Sequence, residues 1–184
     1  MITHPNSWVQ FWYCPWLSCD SSWGNRYPLL KAIEMDKVFS RVHCSELLAN
    51  TGTVYREPPV KNDVLMTLVA MTEKQRHLSL ALAGEIVVSG SAGVHLDNEH
   101  LTWCKRIGGG LRSGGWISDQ QVLKDLPLGL FLLYQWANSQ DLWDRARWLS
   151  DYQLGIYCEQ VPYQKVSVKQ LTTLWGAVVW QATR

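Results

Sequence analysis

Apolar residues recur at helical spacing through the second half of the chain, and polar residues with capping chemistry stand in front of them. Val168, Leu171, Trp175 and Val178 follow one another by steps of three and four behind Ser167, which predicts a final amphipathic helix. Leu128, Phe131, Leu132 and Trp136 predict another, opening with Pro127 in its first turn, where a missing amide does least harm. Before it, Ser118 and Gln121 form a capping box with Ile117 and Val122 placed as a hydrophobic staple, which predicts a short helix to Asp125. After it, Asn138 or Ser139 can cap a helix that buries Leu142, Ala146 and Leu149. On that helix Asp141 precedes Arg145 by four residues and Asp144 precedes Arg147 by three, pairs worth ~0.2–0.5 kcal/mol each.

Upstream the same signals recur. Asp63 can cap a helix through Val64, Leu65, Leu68 and Val69, and Thr72 with Gln75 can start the next, although one long helix fits the pattern as well. Asp97 predicts a helix carrying Leu101, Trp103 and Cys104, ended by Gly108-Gly109-Gly110. Between residues 28 and 50, the positions of Leu29, Leu30, Ile33, Val38, Val42, Leu47 and Leu48 predict one or two more helices, with Pro58-Pro59 in an exposed connector. No alternating series of strand length stands out, and no repeat. The expected fold is all-α: a single compact multi-helix domain over residues 1–184, with an aromatic-rich, irregular segment at 1–27 packing on the body.

Charge and composition narrow the function classes. Seventeen basic and sixteen acidic side chains leave a formal charge of +1, so no long-range field gathers nucleic acid or anionic lipid. The first residues lack the basic stretch and cleavage site of an export signal, and the run from Leu126 to Tyr134 contains Pro127 and Gly129 and falls far short of the ~20 residues of a membrane span. Five cysteines at irregular spacing fit reduced thiols better than a disulfide framework. A soluble, cytoplasmic protein is expected.

Candidate chemistry is thin. The run from Gly108 to Gly115 lacks the Gly-Lys-Ser/Thr and the preceding strand of a nucleotide loop, and reads as a mobile connector. His100 and Cys104, four apart on one predicted helix and near His95, could share a metal; Cys14, Cys19, Cys44 and His43 could make a second corner. Neither set has a matching second cluster of usual spacing. No cysteine carries a nucleophile's local signature, and the pairs Asp97/Glu99 and Asp141/Asp144 read as solvated helix faces. No catalytic, cofactor-binding or metal-binding residue is assigned, and no cofactor is expected.

Eleven tryptophans remain. Trp8, Trp12, Trp16 and Trp23 crowd a segment that Pro5, Pro15 and Pro28 break into pieces too short to bury much alone. Two readings stay open: the rings pack this segment on the body, or they form an interface. The contact residues expected for an interface are Trp8, Trp12, Trp16, Arg145, Arg147 and Trp148, since Trp and Arg are the commonest hot-spot anchors.

Three stretches resemble the SctK family (YscK or HrpD), small cytosolic accessory proteins of the bacterial type III secretion sorting platform. They are Phe11-Trp12-Tyr13-Cys14-Pro15; Leu78-Ser79-Leu80-Ala81-Leu82-Ala83-Gly84-Glu85 with Asn98-Glu99-His100-Leu101 after it; and Gly129-Leu130-Phe131-Leu132-Leu133 followed by residues 143–149. The likeness spans roughly residues 8 to 150; the tryptophan load and the run from Gly108 to Gly115 depart from it. The resemblance implies a virulence-associated, non-enzymatic adaptor in protein transport. It would link the cytosolic domain of the inner-membrane ring protein (SctD-like) to the pod protein (SctQ-like), and would sit in the cytoplasm, peripheral to the inner membrane through the secretion apparatus. Two alternatives rest on the residues alone: a small Cys/His metal protein or hydrolase, and a module that binds ligands on tryptophan platforms.

Overall fold

Helix follows helix through a computed structural model that describes residues 6–33, 44–92, 96–117, 126–162 and 166–184, with no strand among them. The helices are α1 (Asn6–Tyr13), α2 (Ser22–Arg26), α3 (Pro28–Ile33), α4 (Cys44–Asn50), α5 (Asp63–Ala70) and α6 (Glu73–Val87). After these come α7 (Asn98–Leu111), α8 (Leu128–Asn138), α9 (Trp143–Ala146), α10 (Tyr152–Gln160) and α11 (Val168–Ala182). Two 3-10 turns, Pro15–Ser18 and Arg147–Leu149, complete the order. The short helix expected from Ser118 to Asp125, the positions Val38 and Val42, and the histidines His43 and His95 lie outside the described residues.

Helix α6 is the axis of the body, with α7, α8 and α11 packed around it. That position explains its composition. Residues Ala81 to Val87 are buried on every side, so the helix has no solvent face over its last two turns, and small residues let its neighbours close in. A β-carbon on Gly129 of α8 would overlap the Leu80 carbonyl, so the two backbones meet directly at that crossing. Glu85 is buried among these apolar groups, and its carboxylate is matched by the Gly90 amide at 2.9 and 3.0 Å and the Ser89 hydroxyl at 3.2 Å, tying down the turn that ends the helix.

The starts of the helices follow their caps. Thr72 and Gln75 form a complete capping box and Met71 is extended, so α5 and α6 are two helices rather than one. The cap of α5 is Asn62, which accepts the Leu65 amide, one residue before the expected Asp63. Asp97 caps α7 through the His100 amide at 2.8 Å. Pro127 sits at the cap of α8 rather than inside its first turn.

Two expectations are overturned. Helix α7 does not stop at the glycines but runs through Gly108, Gly109 and Gly110 to Leu111, closing on Arg112 in the left-handed conformation (φ 52°). A β-carbon on Gly108 would stand 2.7 Å from the Ile86 carbonyl, which also accepts the Ser113 hydroxyl, so the first glycine serves close helix packing. The helix expected after Asn138 is reduced to the single turn α9 and a 3-10 turn, because Asp141 takes φ 56° and breaks the register with α8.

The amino-terminal segment packs on the body, the first of the two readings its tryptophans left open. Its pieces are short, yet Trp8, Trp12, Trp16 and Trp23 are all buried, since they pack on one another and on the turn after α9 rather than each on its own helix. Trp23 stacks on Trp148 with ring centres 4.1 Å apart, and Trp16 meets Trp148 edge-on at 6.2 Å.

Candidate functional site: a strap pinned by buried arginines

Residues 51–62, between α4 and α5, run without helix across the face formed by α1 and α9. Their carbonyls are taken from beneath. The Trp8 indole donates to the Pro59 carbonyl at 2.9 Å, the Trp12 indole to Arg56 at 2.8 Å, Arg145 to Val54 at 2.8 Å and Arg147 to Thr51 at 3.2 Å. Four long-range bonds from interior side chains hold the strap in one path.

Arg145 is the centre of this arrangement. It is fully buried, its Nε donates to the Trp12 carbonyl at 2.7 Å, and its guanidinium lies 4.7 Å from the centre of the Trp12 ring. Trp12 stands one residue from the end of α1, where carbonyls have no partner inside the helix, so Arg145 caps α1 and clasps the strap with the same fork. Burial lowers its pKa to about 10, against the pull of Asp144 and with the help of the positive charges of Arg56 and Arg147. Arg147 reaches Glu159 at 3.3 Å and Thr53 Oγ1 at 3.2 Å, and Glu159 also accepts the Trp143 indole at 2.9 Å. Arg56 returns from the strap to the Asp141 carbonyl at 2.9 Å and the Asp144 carboxylate at 3.1 Å. The expected pairs Asp141–Arg145 and Asp144–Arg147 are therefore replaced by contacts from distant parts of the chain.

The outer side of the strap carries exposed apolar side chains beside the charged Glu57 and Lys61. Val54, Tyr55 and Val60 are 61%, 60% and 92% exposed, and Tyr55 stacks on Tyr13 at 5.4 Å. A second exposed ring, Trp180 at 55%, stands on α11 with the Arg184 guanidinium 4.5 Å above it.

The structure brings Trp8, Trp12, Arg145 and Arg147 together beneath the strap, with Trp16 and Trp148 in the adjoining cluster, and all six are buried. They pin a surface instead of forming one. Val54, Tyr55, Val60 and Trp180 are the most exposed of the large apolar side chains among the described residues, ahead of Val9, Leu29 and Val168, and the only signal for the strap in the sequence is the Pro58-Pro59 connector. Of the thiols, Cys14, Cys104 and Cys158 are buried while Cys19 and Cys44 are half-buried; burial pushes Cys104 and Cys158 up to about 12, and His100 faces Asp97 at 2.9 Å. Among the described residues no three metal-ligating side chains converge, and no helix is long and apolar enough to cross a membrane.

A cavity of about 330 Å³ lies elsewhere, between α6, the start of α8 and the segment from Leu149 to Leu154. Leu80, Ala81, Leu128 and Leu154 line it, with Arg76 and His77 from α6, and Asp20 and Asp151 from the segments that precede α2 and α10. Comparison with protein-family models, with curated proteins and with solved structures gives no match to this chain.

Proposed function

We propose that this protein is a non-enzymatic adaptor that works by protein–protein contact. On the likeness to the SctK family, we propose further that it serves a bacterial type III secretion sorting platform, joining the SctD-like cytosolic domain of the inner-membrane ring to the SctQ-like pod protein. The observation that carries the reading is the strap. Exposed apolar side chains on a flexible loop would lose conformational freedom on binding, and that cost opposes association. Here the strap is already ordered by four bonds from buried tryptophans and arginines while Val54, Tyr55 and Val60 face outward. Tyr55, held in place at the centre of the strap, is of a residue type enriched among interface anchors, and the two valines add apolar area beside it.

Co-expression with a SctQ-like pod protein and a SctD-like cytosolic domain tests both levels. The wild type is expected to retain at least one of them through purification. Val54→Glu combined with Val60→Glu should lose it with an unchanged melting temperature, because both side chains are solvent-exposed. Failure of the wild type to retain either protein would overturn the secretion role, and equal retention by the double variant would overturn the strap as the contact.

A further inference from the structure

The cavity between α6, α8 and the segment from Leu149 to Leu154 carries chemistry that the adaptor reading does not use. Its base is apolar and sits at the crossing where Gly84 and Gly129 let α6 and α8 touch. At about 330 Å³ it lies at the small end of the ~300–1,000 Å³ range of ligand pockets, so it suits a small molecule better than a segment of a partner. Its charged groups are not spent on one another. The Arg76 guanidinium makes one bond, from Nη1 to the Met71 carbonyl at 3.0 Å, and has no carboxylate partner among the described residues. Asp20 accepts the Ser22 amide, and Asp151 accepts the Gln153 and Leu154 amides; neither has a basic partner among the described residues. Ser91 Oγ, also in the wall, is buried and makes no hydrogen bond.

Arg76 and its neighbour His77 from α6, the carboxylates of Asp20 and Asp151 from the segments that precede α2 and α10, and the apolar Leu80, Ala81 and Leu154 line one cavity and give it a dipolar character. A purely apolar ligand would leave three charges partly desolvated and unmatched, and a simple anion would meet the carboxylates. We infer that the cavity binds a small zwitterion with an apolar body, of the class of the free apolar α-amino acids. The ligand carboxylate pairs with Arg76, its ammonium with Asp20 and Asp151, and its side chain fills the space against Leu80, Ala81 and Leu154. This is independent of the strap, which shares no residue with the cavity.

The test is methyl NMR of the whole chain, titrated with L-leucine and L-phenylalanine to millimolar concentration. The expected result is a saturable shift confined to the methyls of Leu80, Ala81, Leu128 and Leu154. N-acetyl-leucine and leucinamide each lack one charge and should bind about tenfold more weakly or worse, the size of one charge-assisted bond. Arg76→Met should weaken leucine by a similar factor. Asp20→Asn, a second variant in case the first fails to fold, should erode the discrimination against N-acetyl-leucine. No saturable shift with either amino acid, binding of either blocked form as tight as that of leucine, or unchanged affinity in Arg76→Met would each overturn the inference. None of these results touches the pull-down that tests the adaptor role.

Discussion

Arg145 is held in the interior by two carbonyl oxygens and an indole face, not by a carboxylate. Arg145→Ala would leave both carbonyls unpaired and open a void, and we expect a loss of about 3–5 kcal/mol in chemical denaturation. Arg145→Met keeps much of the volume and should lose less. The pH dependence has a definite sign. With the folded pKa lowered to about 10, the charged form is penalised by folding at all lower pH, and the penalty fades as pH rises from there toward the unfolded value. The stability difference between wild type and Arg145→Met should therefore be flat from about pH 6 to about 9 and shift in favour of the wild type above about 10. A shift in the opposite sense would show that a carboxylate stabilises the guanidinium. Helical spacing pairs Arg145 with Asp141, but spacing only counts neighbours on one helix. The partners actually used, Trp12 and Val54, are 133 and 91 residues away in sequence.

At the scale of elements, glycines that look alike in the sequence carry opposite consequences. Gly129→Ala would drive a β-carbon into the Leu80 carbonyl, and parting α6 from α8 should cost roughly 3 kcal/mol or more. Gly109→Ala and Gly176→Ala place the same methyl group in open space inside a helix, and each should gain up to about 1 kcal/mol from helix propensity and reduced unfolded-state freedom. Thermal melts of the three variants read the contrast directly; a stabilised Gly129→Ala would mean that the central crossing is looser than described. Helix starts were legible because a cap acts on amides two or three residues away, as at Thr72 and Asp97. The end of α7 was not, because a run of three glycines ordinarily breaks a helix unless a neighbouring backbone demands the close approach. Ile86 makes that demand at Gly108.

The whole molecule hides ten of its eleven tryptophans and shows one. Six of the ten buried indoles donate to partners distant in sequence: Trp8, Trp12, Trp23, Trp136, Trp143 and Trp175. Emission should therefore be blue-shifted as a whole, with an iodide-quenchable part that comes from Trp180. Trp180→Phe is expected to remove nearly all of that part and leave the melting temperature unchanged. If the variant stays as quenchable as the wild type, the amino-terminal aromatic layer is not packed as described.

The chain's own pattern of apolar positions and caps determined the helical class and the helix starts, because capping and amphipathicity are settled by residues within a turn or two. It also determined how much aromatic surface had to be covered, since that is a matter of composition. Which tryptophans face inward, where the arginines send their protons and which side chains stay exposed on the strap were decided only by the tertiary structure. Those outcomes depend on groups brought together from 12 to 133 residues apart, beyond the few residues over which helical spacing carries information.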